Sequence, residues 1–373
     1  MVNEQFPAGS VLVGTDGSAA ADVAVDWAAA EATRRSTGLH ILYAFPWLTR
    51  ARAWEFEPPP EITENGNRVV AAAKKRVEEN HPGLAVSTEV RIEDPAMALV
   101  TSSESAVVTV VGAQGMGAGS DSFLGSVSQK AAAHARSAVV VVRADADLDP
   151  DRPVVVGMDP NEGAPEAMEY AFEEAARRGQ RLVVVQGSQD DAAFPDFPDA
   201  VISGHYDAGA SEAAKLTSDR LTAWHKQFPD VPVELRLVRE RPVKALVRAG
   251  DESSVVVVGS RGRGGLVGLV LGSVSRGVLN GAPVVAVVRS RHELDVERAA
   301  QRKLEKTEAT EARKVGKVQA AAAAKVGRAE SSAARRIARA ASAVSAASAP
   351  SAVELADLPP VASPDRPEDR QTP

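Results

Sequence analysis

Val11-Leu-Val-Gly14-Thr-Asp16 returns 143 residues later as Val154-Val-Val-Gly157-Met-Asp159. Ala24, Trp27 and Ala28 return at the same offset as Ala167, Tyr170 and Ala171, and Leu39-His-Ile-Leu-Tyr-Ala44 returns as Leu182-Val-Val-Val-Gln-Gly187. Farther along the offset is 147: Pro95-Ala-Met-Ala-Leu-Val100 pairs with Pro242-Val-Lys-Ala-Leu-Val247, and Val110-Val-Gly112 with Val257-Val-Gly259. A fixed offset sustained through several motifs marks one structural unit used twice. The change of four residues puts an insertion in the second copy, opposite positions 44 to 95 of the first.

Within each copy, short Val-rich runs alternate with longer segments of helical period. Residues 10–15, 39–44, 86–92, 107–111 and 138–142 read as strands buried on both faces, because their apolar residues are nearly continuous rather than alternating. Residues 19–36, 61–80, 95–103 and 126–136 read as helices, with Ser18 a natural N-cap for the first. The second copy repeats the strands near 153–158, 181–187, 233–238, 254–258 and 283–288. Strand and helix in alternation specify an α/β fold: two tandem doubly wound parallel-sheet domains. Their expected limits are 8–145 and 151–290, leaving 291–373 as an extension.

The 373 residues carry 44% hydrophobic and 25% charged side chains, enough core material for a folded two-domain chain. No apolar run approaches a membrane span, and the start Met1-Val-Asn-Glu-Gln-Phe-Pro-Ala-Gly-Ser10 has no signal-peptide pattern, so the expected location is cytoplasmic. The absence of cysteine removes disulfides, thiol catalysis and Cys-based metal sites. The net charge of −7 hides an asymmetry: twelve Lys/Arg from Arg298 to Arg339 face only Glu305, Glu308, Glu311 and Glu330, a local net of +8. No aromatic residue follows Phe228. The segment is rich in helix formers but is interrupted by Gly316, Gly327 and several serines, and Lys314-Val-Gly-Lys317 is echoed by Lys325-Val-Gly-Arg328. Beyond Pro350 the Pro, Ser and acidic composition reads as disordered.

After the fourth strand of each copy lies G-x2-G-x9-G-S. The first instance runs from Gly112 through Gly115 and Gly117 to Gly125-Ser126-Val127, the second from Gly259 through Gly262, Arg263 and Gly264 to Gly272-Ser273-Val274. Glycines at a strand exit let the backbone approach a ligand without obstruction by Cβ. A Gly-Ser pair opening the next helix offers free N–H groups and the positive end of the helix dipole, a site suited to phosphate. Ligands of open α/β sheets gather at the carboxyl ends of the strands, where Asp16 is also expected. An aspartate at that position can equally be a helix cap, and a lone glycine loop can be only a tight turn.

These residues, Gly14-Thr-Asp16-Gly-Ser18, Trp27-Ala28 and the doubled glycine motif, resemble the universal stress protein family, in particular its tandem-domain actinobacterial members. The resemblance covers about residues 8–290 and implies a Rossmann-like, adenine-nucleotide-hydrolase-like fold that binds ATP, with Mg as the ion that would accompany it. It implies that Gly14, Asp16, Ala44, Gly112, Gly115, Gly117, Gly125, Ser126 and Val127 hold nucleotide in the first half. The corresponding set in the second half is Gly157, Asp159, Gly187, Gly259, Gly262, Arg263, Gly264, Gly272, Ser273 and Val274. Asp159 is followed by Pro160 and Asn161 where Asp16 is followed by Gly17 and Ser18, and Arg261 and Arg263 stand where the first loop has Gln114 and Met116, so unequal sites are expected. The resemblance further implies that Val139–Val142 and Val284–Val288 pair across the halves, and that the chain forms a homodimer through its C-terminal edge strands.

The six histidines show no metal spacing, and no catalytic residue is assigned. Neither loop has the Lys of G-x-x-x-x-G-K-[ST]. The expectation is therefore an ATP-binding regulatory module of stress or dormancy response. A slow ATPase or nucleotidyl-transfer enzyme on the same fold is the alternative, and a third reading makes the protein nucleic-acid-associated through 298–339. That basic segment reads as a solvated helix, a nucleic-acid contact or, with few large apolar residues, a weak membrane-surface contact.

Overall fold

The computed structural model describes residues 7–46, 60–115, 124–159, 165–187, 200–203, 212–260 and 271–347. Compact packing divides the chain into a body ending at Arg298 and a second unit from Ala299 onward.

In the first half, β1 (Val11–Gly14), β2 (Leu39–Ala44), β3 (Val86–Arg91), β4 (Val108–Gly112) and β5 (Ala138–Val142) alternate with α1 (Ala19–Arg34), α2 (Pro60–Asn80), α3 (Pro95–Ser102) and α4 (Ser126–His134). The second half repeats this with β6 (Val154–Gly157), β7 (Leu182–Gly187), β9 (Val233–Val238), β10 (Val255–Gly259) and β11 (Val284–Val288), and with α5 (Pro165–Arg178), α6 (Glu212–Gln227), α7 (Pro242–Gly250) and α8 (Ser273–Gly281). A four-residue strand, β8 (Ala200–Ser203), is added antiparallel to β9 at the sheet edge.

The eleven strands among the described residues form one sheet in the order β3-β2-β1-β4-β5-β11-β10-β6-β7-β9-β8. Each half is parallel within itself, β8 excepted, and the halves meet through the antiparallel pair β5–β11, with Val140 opposite Ala286. The Val-rich runs are continuous because both faces are covered: Val11 and Val13 point into one buried layer and Leu12 into the other. The first layer runs without a break from Val13 to Val156, so the halves share a core.

The expected homodimer contact through the C-terminal edge strands is corrected by this pairing. β5 is hydrogen-bonded to β4 and β11, and β11 to β5 and β10, which leaves neither strand with an open ladder. Among the described residues the outermost strands of the sheet are β3 and β8.

A second tie between the halves joins α1 to α5. Glu31 and Glu174, related by the 143-residue offset, are both buried. Arg35 donates to Glu31 at 2.5 Å and to Glu174 at 2.9 Å, while Arg178 donates to Glu174 at 2.8 Å and to Glu31 at 3.1 Å. The same guanidiniums lie across the pseudo-twofold over the opposite aromatic ring, Arg35 over Tyr170 at 5.8 Å and Arg178 over Trp27 at 5.5 Å. The two carboxylates are not equivalent. Burial pushes Glu31 up, but Arg178 and Arg35 outweigh it and hold the carboxyl at about 2. Burial pushes Glu174 up, and the charge on Glu31 raises it further.

The C-terminal helix α9 (Arg291–Ala347) begins inside the body. Within the body, Arg291 donates its N–H to Glu166 at 3.0 Å, and buried Arg289 binds Glu297 and the Ala135 carbonyl. No described helix is long and apolar enough to cross a membrane. The sequence beyond Pro350 lies outside the described residues.

Candidate functional site

In each half the strand order reverses between the first strand and its fourth, β1 and β4 in one case and β6 and β10 in the other. The next connection leaves β1 toward one face of the sheet and β4 toward the other, opening a crevice beyond their carboxyl ends. Gly14 is paired with Val111, so Asp16 and Gly115 leave the sheet side by side. They come into close contact: a Cβ built on Gly115 would stand 2.5 Å from Asp16 Oδ2. The other carboxylate oxygen, Oδ1, accepts the Ser18 N–H at 3.0 Å. The helix cap is Ser18, whose Oγ accepts the Ala21 N–H at 3.3 Å. Asp16 thus shapes the turn before α1 with one oxygen and places the other against the glycine loop. Gly17 takes φ +79°, which the turn requires. Its counterpart in the repeat is Pro160, a residue whose ring does not allow that φ.

The glycine loop is pinned at its neck. Gly125 donates its N–H to the Ala113 carbonyl at 2.8 Å, and Ser128 Oγ donates to the Gly112 carbonyl at 2.6 Å. The second half has the same two bonds, from Gly272 to Ser260 at 2.8 Å and from Ser275 to Gly259 at 2.5 Å. Gly125 and Gly272 are the N-cap residues of α4 and α8, and neither helix has a side-chain cap hydrogen bond. The first N–H groups of both helices, at Ser126-Val127 and Ser273-Val274, therefore have no side-chain cap acceptor, and they lie at the same carboxyl end of the strands as Asp16 and Asp159. Both serines are exposed and the valines are half-buried. An anion there would meet backbone donors and the positive helix end together.

Other glycines of the sequence-derived set have packing reasons. A Cβ on Gly14 would stand 3.0 Å from Leu99 Cδ2, and one on Gly157 2.9 Å from Leu246 Cδ1, so α3 and α7 sit on these strand ends. At Gly112 the obstacle is the backbone of α1, with Ala20 C at 2.9 Å. At Gly187 it is the Glu240 carbonyl at 2.7 Å, brought there by the segment entering α7. Ala44, its counterpart, ends β2 beside the crevice. Asp159 is half-buried after β6, its backbone carbonyl 3.5 Å from the Arg220 guanidinium. Gly259 ends β10 as Gly112 ends β4. Gly117, Arg261, Gly262, Arg263 and Gly264 lie outside the described residues.

Ser128, Ser275, Leu99 and Leu246 belong to this architecture and were not singled out from the sequence, although the 147-residue offset relates them pairwise. The halves also differ where the repeat replaces Ala113 with Ser260. Buried Ser260 donates to Glu293 Oε2 at 2.5 Å, tying the second loop neck to the first turn of α9. Among the described residues no group of three His, Asp or Glu side chains is arranged to hold a metal.

The sequence profile of the universal stress protein family matches residues 8–143 and 152–289. A universal stress protein of Mycolicibacterium smegmatis is 36% identical over 294 residues, covering 75% of this chain and 97% of its own. One of Mycobacterium tuberculosis is 35% identical over 289 residues, covering 74% and 96%. The crystal structure of a universal stress protein from Archaeoglobus fulgidus is alike in fold, with a TM-score of 0.55 over 77% of this chain and 98% of that one, at 19% identity.

Proposed function

This chain belongs to the universal stress protein family, and from that premise we propose that it is an ATP-binding regulatory module of stress or dormancy response, with the first half as its stronger site. The observation that carries this reading is the meeting of Asp16 with Gly115 at the sheet's switch point, at the end of the sheet where α4 begins without a side-chain cap. The crevice fits a nucleotide in its parts. A carboxylate can accept hydrogen bonds from ribose or base, and the Ser126-Val127 backbone with the Ser126 hydroxyl can bind phosphate oxygens. Gly115 leaves room for the ligand's approach that a side chain would fill. Bound ATP would supply charge and bulk at the loop, and the protein would read its presence as a change of shape or partner choice. Binding is favoured over turnover because the glycine loop has no P-loop lysine to draw out the terminal phosphate.

Native mass spectrometry of the purified full-length chain tests this directly. The expected result is adenine nucleotide carried through purification at close to one per chain, lost on Asp16→Ala with at least about a tenfold fall in ATP affinity. No nucleotide retained and no calorimetric binding of ATP at millimolar concentration would overturn the reading. Conversion of ATP within seconds in a single-turnover assay would move it to the enzyme alternative.

A further inference from the structure

The unit beyond Ala299 contains a helix with a regular surface the nucleotide site does not use. Lys303, Lys314, Lys325 and Arg336 recur every eleven residues, and so do Lys306, Lys317, Arg328 and Arg339. Arg302, Arg313 and Arg335 fill a third register, in which Ala324 is the one gap. All eleven cations from Arg302 to Arg339 thus occupy three registers of one repeat, and all are exposed. At about 100° per residue they fall within an arc of about 160°, and the four acidic positions 305, 308, 311 and 330 fall in an opposite arc of about 120°. Gly316 and Gly327 have nothing within 4 Å, so packing does not explain the repeat.

We propose that this one-sided cationic face of α9 is a binding surface for double-stranded DNA that does not read base sequence. Eleven residues of helix advance about 16.5 Å. A straight rod beside a duplex meets two backbone crossings per turn of about 34–36 Å, one per about 17 Å on average. The cation trios therefore arrive at the spacing of the phosphate ridges. The duplex presents one charge per about 1.7 Å, which such a face neutralises with release of counterions. The face carries no aromatic side chain and no Asn or Gln to read base edges. A membrane surface fits less well: the opposite line offers one large apolar residue per eleven, such as Val315, Val326 and Ile337, with Glu330 in the same arc.

The test is fluorescence anisotropy of the full-length chain with a labelled duplex of about 30 base pairs at salt between about 50 and 200 mM, beside single-stranded DNA and phosphatidylglycerol vesicles. The expected result is binding that is indifferent to sequence, with a log–log salt slope of about −5 or steeper. A variant that moves cations across the helix, Lys314→Ala, Lys325→Ala and Arg336→Ala with Ala322→Lys, Ala333→Lys and Ala340→Lys, keeps net charge and helical content by circular dichroism. It is expected to bind at least about tenfold more weakly, with a slope shallower by about 3. Equal affinity of this variant would show that net charge alone acts and would overturn the proposal. So would tighter binding of single strands, or capture by vesicles without binding to duplex.

Discussion

A methyl group at Gly115 is the smallest probe of the crevice. Its Cβ would stand 2.5 Å from Asp16 Oδ2, so the carboxylate must turn away or the loop must shift. Gly115 is exposed, which keeps the stability cost of Gly115→Ala within about 1 kcal/mol, whereas ATP affinity is expected to fall at least about tenfold. Calorimetry beside a thermal melt separates the two, and unchanged affinity would remove Gly115 from the site. The paired carboxylates between α1 and α5 invite a different comparison. Arg178 and Arg35 both hold Glu31, and Glu31→Gln removes one of the two carboxylates that these buried guanidiniums share, at an expected loss of about 3 kcal/mol. Burial and the charge on Glu31 make ionisation of Glu174 less favourable than that of Glu31, so Glu174→Gln is expected to cost less than Glu31→Gln. The pH dependences have opposite signs. Glu31 contributes stability above the ordinary carboxylate value of 4.5, and that contribution is lost as pH falls toward about 2. The raised Glu174 is most favourable below 4.5, and its contribution is lost as pH rises through its folded value. Denaturation of Glu174→Gln against wild type should therefore shift in the variant's favour as pH rises. Equal losses from the two substitutions would contradict the inequality.

Elements supply the shape that these residues fill, and the neck of the glycine loop is where α4 and β4 are joined. Ser128→Ala removes the bond to the Gly112 carbonyl, with an expected cost of about 1–2 kcal/mol and weaker binding at the first site. Ser275→Ala should cost a similar stability while leaving first-site affinity unchanged. Urea denaturation with ATP titration checks both, and a Ser128→Ala protein with wild-type stability would mean that the bond is compensated by water. The strands and helices flanking this neck were legible in the sequence because continuous Val runs and the alternation with helical segments have few other solutions. β8 was not, since four residues with no partner pattern of their own become a strand only through the edge of β9. The long helix α9 was read as interrupted at Gly316 and Gly327, yet it runs through both. Each glycine costs about 1 kcal/mol against alanine, a penalty spread over a segment otherwise dense in Ala, Lys and Arg. In the crevice, the nearness of Asp16 to the loop followed from the motif. The packing roles of Gly14 and Gly187 did not, because their obstacles, Leu99 and Glu240, lie far away in sequence.

At the scale of the molecule, duplication has produced one body instead of two linked ones. The antiparallel join β5–β11 makes a single sheet, the buried layer containing Val13 continues to Val156, and the Glu31–Glu174 cluster clamps the helices above it. A half that opened alone would expose the β5–β11 ladder and part of a shared core, and would leave buried charges of the other half without partners. Independent opening is therefore costly, and the two halves are expected to unfold together although each repeats the full plan of the fold. Native-state hydrogen exchange of the full-length chain measures this. Amides of Val13 in β1 and Val156 in β6 should exchange with one common opening free energy and the same dependence on denaturant. Glu31→Gln should lower both by the same amount, because the residue acts on the join and not on its own half. If the substitution lowered protection at Val13 alone, the halves would be separate folding units in contact, and the repeat would be an array of two domains rather than one cooperative sheet.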